Sequence, residues 1–263
     1  MLFTNNQLIG NISCQLFIII EMNLLRDSKV REYIKSRTVI SNRNALMVCQ
    51  CFENLTLKDS HNQNASSIST NLAELAATFK QGKVRHIVMY ITKISYFNSD
   101  MLKFLANEML ECKENDLVEQ YFTVLDQNFR MHPPCASYMK SEYDQFLLSP
   151  YRKCFNEMSL WEYIMDSFNR ILNGSLELGN GSTFDLALKR CLRFCVSVLE
   201  VDLRVCKNNN SRAIIMNCLN YHPGRRTRMS DICKILDKLF LTGYDIQMEI
   251  INLAILISDM MSE

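Results

Sequence analysis

SLWEYIMDSFNRILNG, residues 159–174, decides the fold class. Leu160, Trp161, Ile164, Met165, Phe168, Ile171 and Leu172 recur at spacings of three and four, which places them on one stripe of a helix. Glu162, Asp166, Asn169 and Arg170 fall opposite. Ser159 with Glu162 three residues on is a capping box, in which each side chain satisfies a backbone N–H that the first turn leaves orphaned. Asn173-Gly174 ends the helix, because glycine enters the left-handed conformation without a Cβ clash.

The same grammar spreads outward. Ser182 and Asp185 cap a helix carrying Phe184, Leu188, Cys191, Cys195 and Val198, broadened by Leu192 and Leu199. Toward the N-terminus, Asn71 with Glu74 opens a short helix and Val84–Phe97 reads as another. Met101, Leu102, Leu105, Met109 and Leu110 define a third, and Leu117, Val118, Tyr121, Phe122 and Leu125 a fourth. Met131-His132-Pro133-Pro134 stops the run, since consecutive prolines cannot continue a helix. At the other end Ser230 opens a helix with Ile232, Ile235, Leu236, Leu239 and Phe240. A turn at Thr242-Gly243 leads to a last helix from about Tyr244 to Met260. That helix is apolar nearly all round, so it is buried among neighbours or by a partner.

Composition agrees. Among 263 residues there are 7 glycines and 4 prolines, far fewer than sheet proteins and phosphate-loop enzymes spend on turns. The reading divides the chain into an N-terminal helical segment (1–56), a polar, mobile loop (57–71, containing LKDSHNQNASSIST) and a main helical domain (72–263). Helices of about 11–17 residues recur often enough to predict an all-α fold. Its expected form is an armadillo/HEAT-like α-solenoid of stacked helix pairs, with a globular all-α bundle as the alternative.

Charge excludes some function classes. The net charge is +1, and it is concentrated nowhere: residues 1–50, 51–130, 131–200 and 201–263 sum to about +3, −2, −1 and +1. Binding of nucleic acid or a membrane surface by bulk charge is not expected. Eleven cysteines in a chain too long to need staples predict free thiols in a reducing compartment, nuclear or cytoplasmic. Cys14, Cys112, Cys191, Cys195, Cys218 and Cys233 sit where a helix buries a small apolar group. Leu16–Ile20 resembles a signal core, but no Lys or Arg precedes it and Asn11, Ser13, Gln15, Glu21 and Asn23 interrupt it. The sequons at Asn11, Asn54, Asn64, Asn173, Asn180 and Asn209 are a mild excess in an Asn-rich chain.

Reaction signatures are missing. GxGxxG, GxxxxGK[ST], GxSxG and HExxH are all absent, and no catalytic residue, cofactor or metal site is assigned. Gly179-Asn180-Gly181-Ser182 precedes a helix and reads as a turn and cap. Cys49-x-Cys51 cannot chelate tetrahedrally by itself. Cys191 and Cys195 could share a metal with Cys206 and His222, yet both lie in an apolar stripe and read as core. His132-Pro133-Pro134-Cys135 places a base near a thiol, but adjacency in sequence is not an activated dyad, and loop punctuation is the simpler reading. His61 and His86 complete a thin set of acid–base candidates. The strongest recognition candidate is His222-Pro223-Gly224-Arg225-Arg226-Thr227-Arg228. There Arg225, Arg226 and Arg228 could grip phosphate or an acidic peptide bidentately, although a solvated loop is the plainer reading.

Ile235–Phe240 followed by Leu241–Ile250 resembles the armadillo-like N-terminal domain of synaptonemal complex protein two and related meiotic chromosome-axis proteins. That family carries Gly-Asp-Tyr-Glu-x-Gln between two helices; Tyr244-Asp245-Ile246-Gln247 matches the last four positions with Asp for Glu, and Thr242-Gly243 replaces the first two. The resemblance implies a nuclear scaffold of the chromosome axis or of sister-chromatid cohesion that binds other proteins. Taken together, the sequence predicts a non-catalytic protein-interaction adaptor, docking protein partners in a helical groove or on a ridge, as a homo- or hetero-oligomer. The alternatives are a helical-core enzyme whose site is scattered in sequence, and an arginine-loop binder of phosphate or nucleic acid.

Overall fold

Ser159 and Glu162 form the box that their spacing predicts. The Ser159 Oγ accepts from the Glu162 N–H at 3.3 Å, and Glu162 Oε2 accepts from the Ser159 N–H at 3.0 Å. A computed structural model gives these positions; it describes residues 26–32, 65–68, 77–78, 81, 83–150, 157–176, 182–219, 229–242 and 246–261. Within them, the helices are α1 (Val84–Ile87), α2 (Ser99–Glu111), α3 (Asn115–Met131), α4 (Ser137–Leu148), α5 (Leu160–Leu172), α6 (Thr183–Asn209), α7 (Ile214–Cys218), α8 (Met229–Leu241) and α9 (Gln247–Met261). The fold is all-α with packed helices.

Boundaries follow local chemistry. Helix α5 closes at Gly174, whose φ of +69° is the left-handed value a residue without Cβ adopts freely. Ser182 caps α6 by accepting from the Asp185 N–H at 3.1 Å. Asn98 caps α2 through the Met101 N–H, and Glu142 of α4 accepts from the Ser99 N–H at 2.7 Å, a carboxylate at the positive end of the α2 dipole. The Pro133-Pro134 break falls between α3 and α4, as expected. Helix α6 runs 27 residues, well beyond the expected 11–17, because neither Gly nor Pro interrupts residues 183–209. It ends at Asn210 with φ +49°.

The segment Val84–Phe97 departs from a single predicted helix. After α1 comes one tight turn, Val88–Tyr90, and Ile91 is extended. Ser95–Tyr96 is a short strand, β2, paired in parallel with β1 (Ser66–Ser67) through Ser66 N–Ile94 O at 2.9 Å and Ile68 N–Tyr96 O at 2.8 Å. Ile91, Thr92 and Ile94 are β-branched, and crowding against a preceding turn disfavours them in a helix. Part of the polar tract 57–71 is therefore hydrogen-bonded to the body. Residues 28–32 of the N-terminal segment form a helical turn begun by Asp27, and Val30 packs it into the common core. The cap predicted at Asn71 lies outside the described residues, as does Gly243 of the predicted Thr242-Gly243 turn; the Thr242 N–H donates to the Leu239 carbonyl at 3.1 Å.

Packing centres on α6, which carries α2, α3, α4, α7 and α9 along its length. Phe194 is the anchor: its ring lies 6.2 Å from Phe129, 6.3 Å from Tyr143 and 5.7 Å from Phe146, each in a tilted or edge-on arrangement that aromatic quadrupoles favour. Arg190 joins α6 to α3 by donating Nε and Nη2 to Glu119 Oε1 while stacking over Phe122. Helix α9 buries Ile250, Ile251, Leu253, Ala254, Leu256 and Ile257 within this chain. Gln247 ties α9 to the end of α8 by donating to the Phe240 carbonyl at 2.7 Å.

Candidate functional site

A cleft of about 770 Å³ opens between α5, α7 and α8. The border of the amphipathic α5 stripe supplies one wall: Trp161 and Met165 at i and i+4, with Glu162 and Asp166 one residue further round. Helix α8 contributes Ile232 and Ile235, with Asp231 at its first turn. The third wall is the approach to α7, where Arg212 donates to Asn217 Oδ1 at 2.7 Å and Asn217 donates to Asp144 Oδ1 at 3.2 Å. The lining thus joins apolar side chains to three carboxylates and one guanidinium; Glu162 is held in the Ser159 box, and Asp231 lies 3.9 Å from the Lys234 ammonium.

Behind that third wall lies a buried polar cluster. Lys140 of α4 points Nζ at three acceptors: Cys206 Sγ at 2.9 Å, the Arg212 carbonyl at 2.8 Å and Asp202 Oδ1 at 3.3 Å. Asp202 is 1% exposed, and its other oxygen accepts from the Ile214 N–H at 2.6 Å. A carboxylate there starts α7 in the way an N-terminal cap does. Burial pushes the Asp202 carboxyl up, against the downward pull of the Ile214 N–H and Lys140. It pushes the Cys206 thiol up as well, and Lys140 opposes that shift.

His132 occupies a second cluster. It is wholly buried, with Nε2 facing the Thr92 carbonyl at 2.6 Å and the Ser95 carbonyl at 3.0 Å, and Nδ1 3.0 Å from the Tyr138 hydroxyl. Carbonyls only accept, so Nε2 carries the hydrogen; in the neutral ring Nδ1 accepts from Tyr138. The Tyr143 hydroxyl donates to the His132 carbonyl, and Asn128 accepts from the Phe97 N–H at 2.8 Å. This network holds the irregular 91–97 stretch against α3 and α4, which is a structural task. Burial pushes the neighbouring Cys135 thiol up to about 12, the reverse of the depression that makes a nucleophile.

The remaining sequence candidates fall out as follows. Cys191 and Cys195 are buried in the core as their stripe predicts, and the Cys195 thiol is held above its usual value by its hydrogen bond with Cys191 and by burial. Among the described residues no three His, Cys, Asp or Glu side chains gather to hold a metal ion, and no helix is long and apolar enough to cross a membrane. Arg225, Arg226 and Arg228, with His61, His222, Cys49, Cys51 and residues 179–181, lie outside the described residues.

Sequence reading passed over Asp202 and the cleft. Asp202 had a signal: it is the one acid on the stripe Cys195, Val198, Leu199, Cys206, and a charge on an apolar face needs a partner. The cleft had none, since its walls come from segments some fifty residues apart, and its Trp161 and Ile232 read as ordinary core. Comparison of the chain with protein-family models, with curated proteins and with solved structures yields no match.

Proposed function

We propose that the chain is a non-catalytic adaptor, and that the α5–α7–α8 cleft receives a protein segment bearing Lys or Arg beside an apolar anchor. One observation carries the reading: the cleft is lined by Trp161, Met165 and Ile235 together with Glu162, Asp166 and Asp231. Carboxylates attract cations and the apolar lining rewards burial of an aliphatic side chain, the two ingredients that interfaces combine. A non-catalytic role is supported by His132 and Asp202, buried ionisable groups whose hydrogen bonds go to backbone and to neighbouring side chains.

For the architecture we take the globular bundle over the stacked-pair solenoid. Helices from both halves of the main domain converge on α6, whereas a solenoid pairs each repeat with its sequence neighbours. The chromosome-axis setting enters the proposal on Ile235–Ile250 alone; its expected outcome is nuclear signal from the tagged chain in meiotic cells.

Trp161 is the only tryptophan in the chain, so intrinsic fluorescence reports directly on the cleft. Titration with a short Leu/Lys/Arg helical peptide should shift Trp161 emission, and the affinity should fall as salt is raised. Asp166→Lys with Asp231→Lys should weaken binding at least tenfold, while a Leu/Glu peptide leaves the spectrum unchanged. Equal binding of both peptides, or indifference to the double substitution, overturns the reading.

A further inference from the structure

We propose that Lys140 and Cys206 form a covalent modification site, in which oxidation of the Cys206 sulfur by a peroxide is captured by the Lys140 amine as a Cys–Lys link. The geometry supplies the argument. Nζ stands 2.9 Å from Sγ, a hydrogen-bond contact that already sets the two reacting atoms against each other. Asp202 Oδ1 is 3.3 Å from the same nitrogen and 3.6 Å from the same sulfur, so one carboxylate serves both reacting atoms. Cys206 is 2% exposed, but the Lys140 side chain is 34% exposed and gives the cluster its opening to solvent.

The chemistry balances in two steps. The Cys206 thiol and one hydrogen peroxide give the sulfenic acid and one water: sulfur loses two electrons and the peroxide O–O bond is cleaved. Asp202 then takes a proton from the Lys140 ammonium. The amine lone pair attacks sulfur, the S–O bond breaks, and the departing hydroxide leaves as water with a second proton from nitrogen. An S–N bond remains, with no further change of oxidation level, and Asp202 returns its proton to solvent. The cation beside the sulfur favours the thiolate that the first step requires, and this nearness offsets part of the effect of burial.

Closure joins α4 to α6 across 66 positions of sequence, directly behind the Arg212 wall of the cleft. A link spanning so long a loop constrains the unfolded chain and raises the melting temperature by several degrees, reversibly with thiol reductant.

The test treats the folded 263-residue chain with hydrogen peroxide, digests it under acidic, non-reducing conditions, and maps peptides by tandem mass spectrometry. The expected product joins the Lys140 and Cys206 peptides with a loss of about 2 Da, and dithiothreitol releases it. A joined product about 14 Da heavier than the two separate peptides together, an N–O–S link formed with a second peroxide, supports the same pair. In Lys140→Arg, which keeps the charge and removes the nucleophile, the joined product should vanish and Cys206 should proceed to sulfinic acid. Wild-type protein in which Cys206 stays a thiol, or is oxidised with no joined peptide, overturns the proposal. Because that result is read on the wild-type chain, a misfolded variant cannot obscure it, and peptide binding at the cleft plays no part in it.

Discussion

Glu249 sits in the first turn of α9, 5% exposed, with its Oε2 lacking a hydrogen-bond partner among the described residues. Burial raises its carboxyl above the ordinary value, although Lys189, Arg193 and Arg190 of α6 pull it down. The sign of the effect on stability follows. Below the pH at which an unfolded glutamate ionises, both states carry the proton and the group is neutral to folding. Between that pH and the raised folded value, only the folded state holds the proton, so stability falls as pH rises through this window. Glu249→Gln removes that loss. It should stabilise the chain at pH 7 by about 1 kcal/mol and flatten the upper part of the stability curve, leaving the slope of the same sign that the raised Asp202 carboxyl contributes. Urea unfolding at pH 4, 5.5 and 7 checks it; a variant less stable than wild type at pH 7 contradicts the account. Glu249 was visible in the sequence as a lone acid in an apolar run. Its partners were not, because they are set by how α9 lies on α6.

At the scale of elements, the sequence was most informative where a signal is complete within one turn. The box at Ser159, the left-handed stop at Gly174 and the cap at Ser182 are satisfied locally, so spacing reveals them. Their energetics are correspondingly local. A Cβ placed on Gly174 meets nothing within 4 Å, so Gly174→Ala costs only the backbone strain of an L-residue at positive φ, about 1 kcal/mol. Ser159→Ala costs about 1 kcal/mol through its lost cap. The two sites close opposite ends of one helix and share no partner, so the double variant should lose the sum. Thermal unfolding of the set decides this, and a strongly non-additive pair refutes the independence of the two ends. The Val84–Phe97 segment failed for the opposite reason. Its apolar spacing suited a helix, while the groups that hold it extended, Asn128 and His132, lie more than thirty residues away.

For the whole molecule, the all-α class was legible from periodicity and the scarcity of glycine and proline. The arrangement was not, since amphipathic stripes say how much surface each helix buries but not against which partner. The answer here is α6, and Phe194 tests it. Its ring meets Phe129, Tyr143 and Phe146 from two other helices. Phe194→Ala should therefore cost 3–5 kcal/mol, in the upper range for core truncations. Phe184→Ala, near the start of α6 and only partly buried, should cost far less. Comparable losses at the two positions would show that the core is not centred where the rings meet. The cleft and the Lys140–Cys206 pair also belong to this scale, being made by segments that meet only when the fold is complete.

That placement of α6 orders events during synthesis. Helices α2 to α4 leave the ribosome before α6, yet the surface on which they come to rest ends at Asn209, and α9 follows later still. Until then the nascent chain holds its largest apolar faces open, in the form that chaperones recognise and proteases cut.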